Sequence, residues 1–124
     1  MKASVNSLRS LLQENVCEIQ FVRRRQRANR PPFRRMLCTL DEKILNSPNG
    51  RLSLNFMPST GILPYNASQR NLLPVWDIFM QGWRMVSLDD CNVINTIKED
   101  EFWKYFNDTL LPMSPEQKMV FMDS

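Results

Sequence analysis

The segment LLPVWDIFMQGWRMVSL, Leu72 to Leu88, restricts this chain more than any other. Two runs rich in β-branched and aromatic residues flank Gln81 and Gly82, and that arrangement predicts an antiparallel hairpin. Gly82 is expected to supply the positive φ that a tight turn requires. Along the runs, period-2 alternation puts Trp76, Ile78 and Met80 on one face, and Trp83, Met85 and Ser87 on one face of the return strand. Arg84 then points away from Trp83, toward solvent. Trp76 and Trp83 are expected to pack as core or as a cross-strand pair.

A second hairpin lies upstream. VCEIQFV alternates Cys17, Ile19 and Phe21 with Glu18 and Gln20, and FRRMLCTL alternates Met36, Cys38 and Leu40 with Arg35, Leu37 and Thr39. Both have strand periodicity. The connection between them begins the run RRRQRANRPPFRR, seven arginines in thirteen residues without an acid. Pro31 and Pro32 cannot donate to a ladder and belong to the loop or the strand entrance. Residues 47–50, SPNG, suit a type I turn, and RLSLNF alternates Leu52, Leu54 and Phe56 as a short third strand. Residues 57–70 read as a long loop. NVINTI closes the β region.

Helices are expected at both ends. Val5, Leu8, Leu11 and Leu12 fall at helical spacing between Ser4 and Asn15. Thr96 to Glu99 has the form of a capping box, followed by acidic Asp100 and Glu101 and an apolar stripe of Phe102, Phe106 and Leu110. Pro112 stops that helix, and Ser114 with Pro115 and Gln117 caps another. The expected organisation is residues 1–97 as an N-terminal helix plus a β unit, and 98–124 as a helical extension packed on it. Several short strands separated by tight turns favour a small barrel over a sandwich.

Composition limits the chemistry. The 124 residues contain no histidine, so the commonest general base and every Ser/His or Cys/His arrangement are missing. Three glycines, without a Walker Lys-Ser/Thr or a GxGxxG, cannot form a phosphate-cradling loop. Cys17, Cys38 and Cys91 have no CxxC spacing, which predicts free, buried thiols rather than zinc ligands. Asp77, Asp89 and Asp90 read as turn chemistry rather than paired catalytic carboxylates. The expectation is no enzyme, no metal and no cofactor. No apolar run approaches the roughly 20 residues of a membrane span, and no apolar signal core follows Met1; a cytoplasmic protein is expected.

Charge is polarised. Residues 1–51 hold eleven Lys/Arg against four Asp/Glu, and residues 52–124 hold five against nine, giving +7 and −4. The basic pole points to a polyanionic partner, since the guanidinium fork matches phosphate oxygens. The candidate contacts are Arg23, Arg24, Arg25, Arg27, Arg30, Arg34 and Arg35, extended by Arg84, with Tyr65 as an exposed ring for base stacking. The same arginines suit nucleic acid, DNA or RNA, or an acidic protein surface. The aromatic tail around Phe102, Trp103, Tyr105 and Phe106 leaves one side for a partner or a second copy.

The motifs CTL (Cys38, Thr39, Leu40), VWD (Val75, Trp76, Asp77) and GWR followed by LD (Gly82, Trp83, Arg84, Leu88, Asp89) resemble the WYL-like Sm/SH3-barrel family of small proteins frequent in bacteriophages. The resemblance covers Val16 to Ile97. It implies a mainly β, α+β chain: a small SH3/Sm-like barrel of about five strands with an N-terminal helix and C-terminal helices. It also implies nucleic-acid contact or ligand sensing. Two functions follow as expectations: a phage-type nucleic-acid-binding protein, or a host-takeover protein that binds an acidic or nucleic-acid-handling host protein in the host cytoplasm. The arginine-rich loop, the long middle loop and the tail from Lys98 depart from the family pattern.

Overall fold

The computed structural model describes residues 4–22, 29, 32–58, 71–89 and 91–123. Helix α1 (Val5–Glu14) leads into β1 (Asn15–Val22) and β2 (Phe33–Thr39). Two short helices follow, α2 (Glu42–Leu45) and α3 (Pro48–Ser53), then β3 (Leu72–Asp77), β4 (Gly82–Ser87) and β5 (Asn92–Lys98). Helix α4 (Glu99–Tyr105) runs into a π-helical turn (Phe106–Leu110), and α5 (Pro115–Met122) ends the described chain.

The five strands pair antiparallel in the order β4-β3-β2-β1-β5. This is an α+β architecture built on an open sheet, not the closed barrel the sequence suggested: the sheet curls enough to bring β4 toward β1, but β4 and β5 remain its edges. Cys17 faces Cys38 and Ile19 faces Met36, so the alternating faces expected for β1 and β2 coincide in the hairpin. Both sheet faces are covered. Cys17, Ile19, Met36, Cys38, Val75 and Val86 pack under Val5, Leu8 and Leu12 of α1. On the opposite face Val16, Leu37 and Trp76 pack beneath Ile44, Leu45, Leu54, Phe102, Phe106 and Leu110. Central β2 is thus buried on both sides over Met36 to Thr39, as a strand between two helical layers must be.

Local chemistry explains the elements and four departures from expectation. Ser4 caps α1 through a reciprocal bond pair with Ser7, and Ser114 does the same with Gln117 for α5. The expected strand RLSLNF is instead the end of α3 and its exit. Ser47 Oγ accepts the Gly50 N–H at 2.9 Å with Pro48 at the first helical position, so SPNG starts a helix rather than a turn. Helix α2 was not foreseen; its signal is Asp41, whose carboxylate accepts the Lys43 N–H at 2.9 Å. Thr96 does not cap α4, because β5 continues to Lys98, which occupies the cap position without a side-chain bond. The β3–β4 turn also differs. Strand β3 stops at Asp77, and the positive φ falls on Gln81 (53°), not on Gly82. Met80 is therefore not a strand residue beside Trp76; it is exposed in the turn.

The stripe Phe102, Phe106, Leu110 is buried throughout. A spacing of four drifts about 40° per step around an α-helix. The wider π turn, closed by Leu111 N–H to the Phe106 carbonyl at 2.7 Å, reverses that drift and keeps Leu110 on the core side. Strand β5 carries a bulge opposite Glu18 and Ile19, leaving Ile94 as the extra residue and half exposed. A bulge of this kind blunts a sheet edge.

Candidate anion-binding hairpin

The arginine run divides at Phe33. The β1–β2 ladder reaches its last pair at Val22 and Phe33, so residues 23–32 connect the two strand ends. Five of the seven candidate arginines, Arg23, Arg24, Arg25, Arg27 and Arg30, belong to that connection and lie outside the described residues, as does Tyr65. The remaining two, Arg34 and Arg35, lie on β2, and each is held by a carboxylate.

Arg34 Nη2 donates to Asp77 Oδ2 at 2.8 Å and also lies 3.5 Å from Met122 Sδ. Asp77 has no solvent exposure, and the Arg34 side chain is 15% exposed. The second carboxylate oxygen, Asp77 Oδ1, accepts the Phe79 and Met80 N–H groups at 2.9 and 3.0 Å. One aspartate therefore builds the β3–β4 turn and neutralises a nearly buried guanidinium, and its own buried charge is tolerated because it is paired and hydrogen-bonded. Arg35 pairs with Glu18, its diagonal neighbour across the hairpin. Its guanidinium also lies over the Phe121 ring, 4.4 Å from the centroid. Phe121 meets Phe79 edge-on at 4.9 Å.

This arrangement covers an irregularity in the sheet. β3 pairs with β2 only at Cys38 and Thr39, so among the described residues the outer edge of β2 from Phe33 to Met36 has no strand beside it, and α5 packs against β2 instead. The base of the hairpin is thus clasped from three directions, by the β3–β4 turn, by β1 and by α5. Sequence reasoning missed Asp77, Glu18 and Phe121 in this role. The Glu18–Arg35 pairing was within reach, because the Cys17–Cys38 register places the two residues diagonally.

Arg84 is half-buried on β4, separated from β2 by β3, and its Nη1 donates to the Trp83 carbonyl at 2.9 Å. Trp76 and Trp83 form the anticipated cross-strand pair, with ring centroids 5.6 Å apart and nearly perpendicular. Trp76 is buried, and Trp83 is turned to the Met57 carbonyl through its indole N–H at 2.9 Å. Neither is an open stacking platform.

The cysteines are free and buried, as expected. Burial, with Cys91 nearby, pushes the Cys17 thiol up to about 12; burial alone lifts Cys91 to about 11 and is the main cause that raises Cys38 well above the ordinary thiol range. These are protonated thiols at neutral pH, the opposite of an activated nucleophile. Among the described residues no group of His, Cys, Asp or Glu could hold a metal ion, and no helix is long and apolar enough to cross a membrane. Comparison with known proteins finds no matching family model, no matching curated protein and no matching solved structure.

Proposed function

We propose that this protein is a non-enzymatic binding module whose arginine-rich β1–β2 connection grips nucleic acid through its phosphates. The observation that carries this reading is the division of the run: five arginines and no acid occupy residues 23–32, while Arg34 and Arg35 below them are already neutralised by Asp77 and Glu18. The rest of the run, five arginines without an acid in its sequence, lies between two strand ends that the ladder holds together. Its contacts would be to phosphate and carry affinity without sequence information. The resemblance of the CTL, VWD and GWR motifs to the WYL-like Sm/SH3-barrel proteins is compatible with this role, although the five antiparallel strands form an open sheet rather than a closed barrel.

The test is the salt dependence of binding to mixed-sequence DNA and RNA, followed by fluorescence anisotropy. If all five arginines meet phosphates, log Kobs falls against log salt with a slope of about −4.5 on duplex DNA. Replacing Arg23, Arg24 and Arg25 together with alanine reduces the slope by about 3, whereas Arg35→Ala leaves it unchanged. A pull-down from bacterial lysate, with and without nuclease, completes the assay. A protein that stays bound after digestion but is lost in the triple variant would replace nucleic acid with an acidic protein partner and overturn the reading.

A further inference from the structure

Helix α5 is apolar on two sides, and the fold uses only one of them. Phe121 and Met122 face inward onto Phe79 and the Arg34–Arg35 clasp. Met119 and Val120 point outward and are 43% and 71% exposed. Val120 faces the π-helical turn across an open groove of about 620 Å3 that Thr109, Pro112, Met113 and Gln117 also line. Burial in the protein's own core does not account for this surface, since α5 contains no fully buried residue. Concave apolar surface at this scale, between helices, is what peptide ligands fill.

The rim gives the groove a sign. Asp108 and Glu116 stand on opposite walls, and the described lining contains no Lys or Arg. Lys104 reaches Asp108 at 3.5 Å, but both side chains are largely solvated, so the pair offsets little of the rim's charge. A two-fold contact between copies of this chain would set the acidic rims against each other.

We propose that the groove between the π-helical turn and α5 docks a basic amphipathic helix of a partner protein, with aliphatic side chains at i, i+3 and i+4 on the floor and Lys or Arg beside Asp108 and Glu116. This is the helix-in-groove mode of recognition. It does not involve the arginine-rich connection, so its failure and the failure of nucleic-acid binding are separate results.

The probe is a fluorescein-labelled peptide of leucine and lysine patterned for one apolar helical face, compared with the same peptide carrying glutamate for lysine. The lysine peptide binds and the glutamate peptide does not. Val120→Asp, a change at an exposed site that leaves the thermal melt in place, weakens binding about tenfold or more. Asp108→Asn with Glu116→Gln weakens it less, and flattens its dependence on salt. Equal binding of the two peptides, no binding up to about 1 mM, or binding indifferent to Val120→Asp each overturns the proposal. So does a concentration-dependent dimer that Val120→Asp converts to monomer, which would make a second copy the occupant.

Discussion

Replacing Asp77 tests the clasp at its centre. The carboxylate is fully buried and meets three donors, Arg34 Nη2 and the Phe79 and Met80 N–H groups. Asp77→Ala leaves a nearly buried guanidinium without its counter-charge, a loss of about 3–5 kcal/mol by analogy with other broken buried pairs. Against a total stability of about 5–15 kcal/mol for a domain of this kind, that is a large share. The melting temperature should fall by roughly 10 °C or more. Asp77→Asn separates the two roles, because its amide oxygen can still accept the turn's N–H groups while the charge is gone. It should fall between wild type and Asp77→Ala. Urea unfolding followed by tryptophan fluorescence reads the effect, with Trp76 adjacent in sequence and buried. A cycle with Arg34→Ala isolates the pair: the double variant should be about 2 kcal/mol more stable than the sum of the single losses implies. Single variants within about 0.5 kcal/mol of wild type, or losses that simply add, would show that the ion pair does not support the turn.

Gly50→Ala should destabilise by roughly 2 kcal/mol or more, although Gly50 lies in a helix where alanine is normally favoured. Its added Cβ would strike the Ile44 carbonyl oxygen and approach the Leu45 carbonyl carbon to 2.8 Å, both backbone atoms that cannot swing aside; a chemical melt no lower than wild type refutes this. The thiols predict alkaline sensitivity. An unfolded chain ionises its cysteines near 9, while the fold keeps Cys91 and Cys17 protonated to about 11 and 12. Their contribution is therefore complete below about pH 9 and is lost as pH rises toward the folded values, at up to about 1.4 kcal/mol per thiol per unit. Urea midpoints measured across that range should fall, less steeply in Cys17→Ala, and thiol reagents should label the protein only as fast as it unfolds.

Much of the sheet was legible because its signals are local. Cys17, Ile19 and Phe21 against Met36 and Cys38 repeat every second residue, and the structure pairs them as that pattern requires. Ser114 and Pro115 predict α5, which the structure contains, whereas the same Ser-Pro signature at Ser47 and Pro48 suits a turn once Gly50 follows and yet starts α3. Gly50 serves packing against Ile44, not turn geometry. The alternation of Leu52, Leu54 and Phe56 then looked like a strand, yet Leu52 is 78% exposed while Leu54 and Phe56 fill the core from the end of a short helix. Period 2 over three residues is too short to distinguish the two. Closure of the sheet was not legible at all. It depends on whether β4 and β5 meet after three intervening strands, a matter of accumulated twist and curvature with no local residue pattern.

The arginines show the same limit in electrostatic form. RRRQRANRPPFRR presents seven equal charges to a reader of sequence, but Arg34 and Arg35 sit on alternating strand positions and are sent to opposite faces of the sheet. One finds Asp77, 43 residues away, and the other finds Glu18 on the neighbouring strand. Their pairing removes two charges from any partner's reach and uses them to fasten the hairpin's base to the β3–β4 turn, to β1 and to α5. A clasp of this kind holds the two ends of the connection, Val22 and Phe33, in register. Loss of Arg34 should therefore appear as lost stability, and, if the arginine connection grips phosphates, loss of Arg23, Arg24 or Arg25 as lost salt dependence, from substitutions nine to eleven positions apart in the same run.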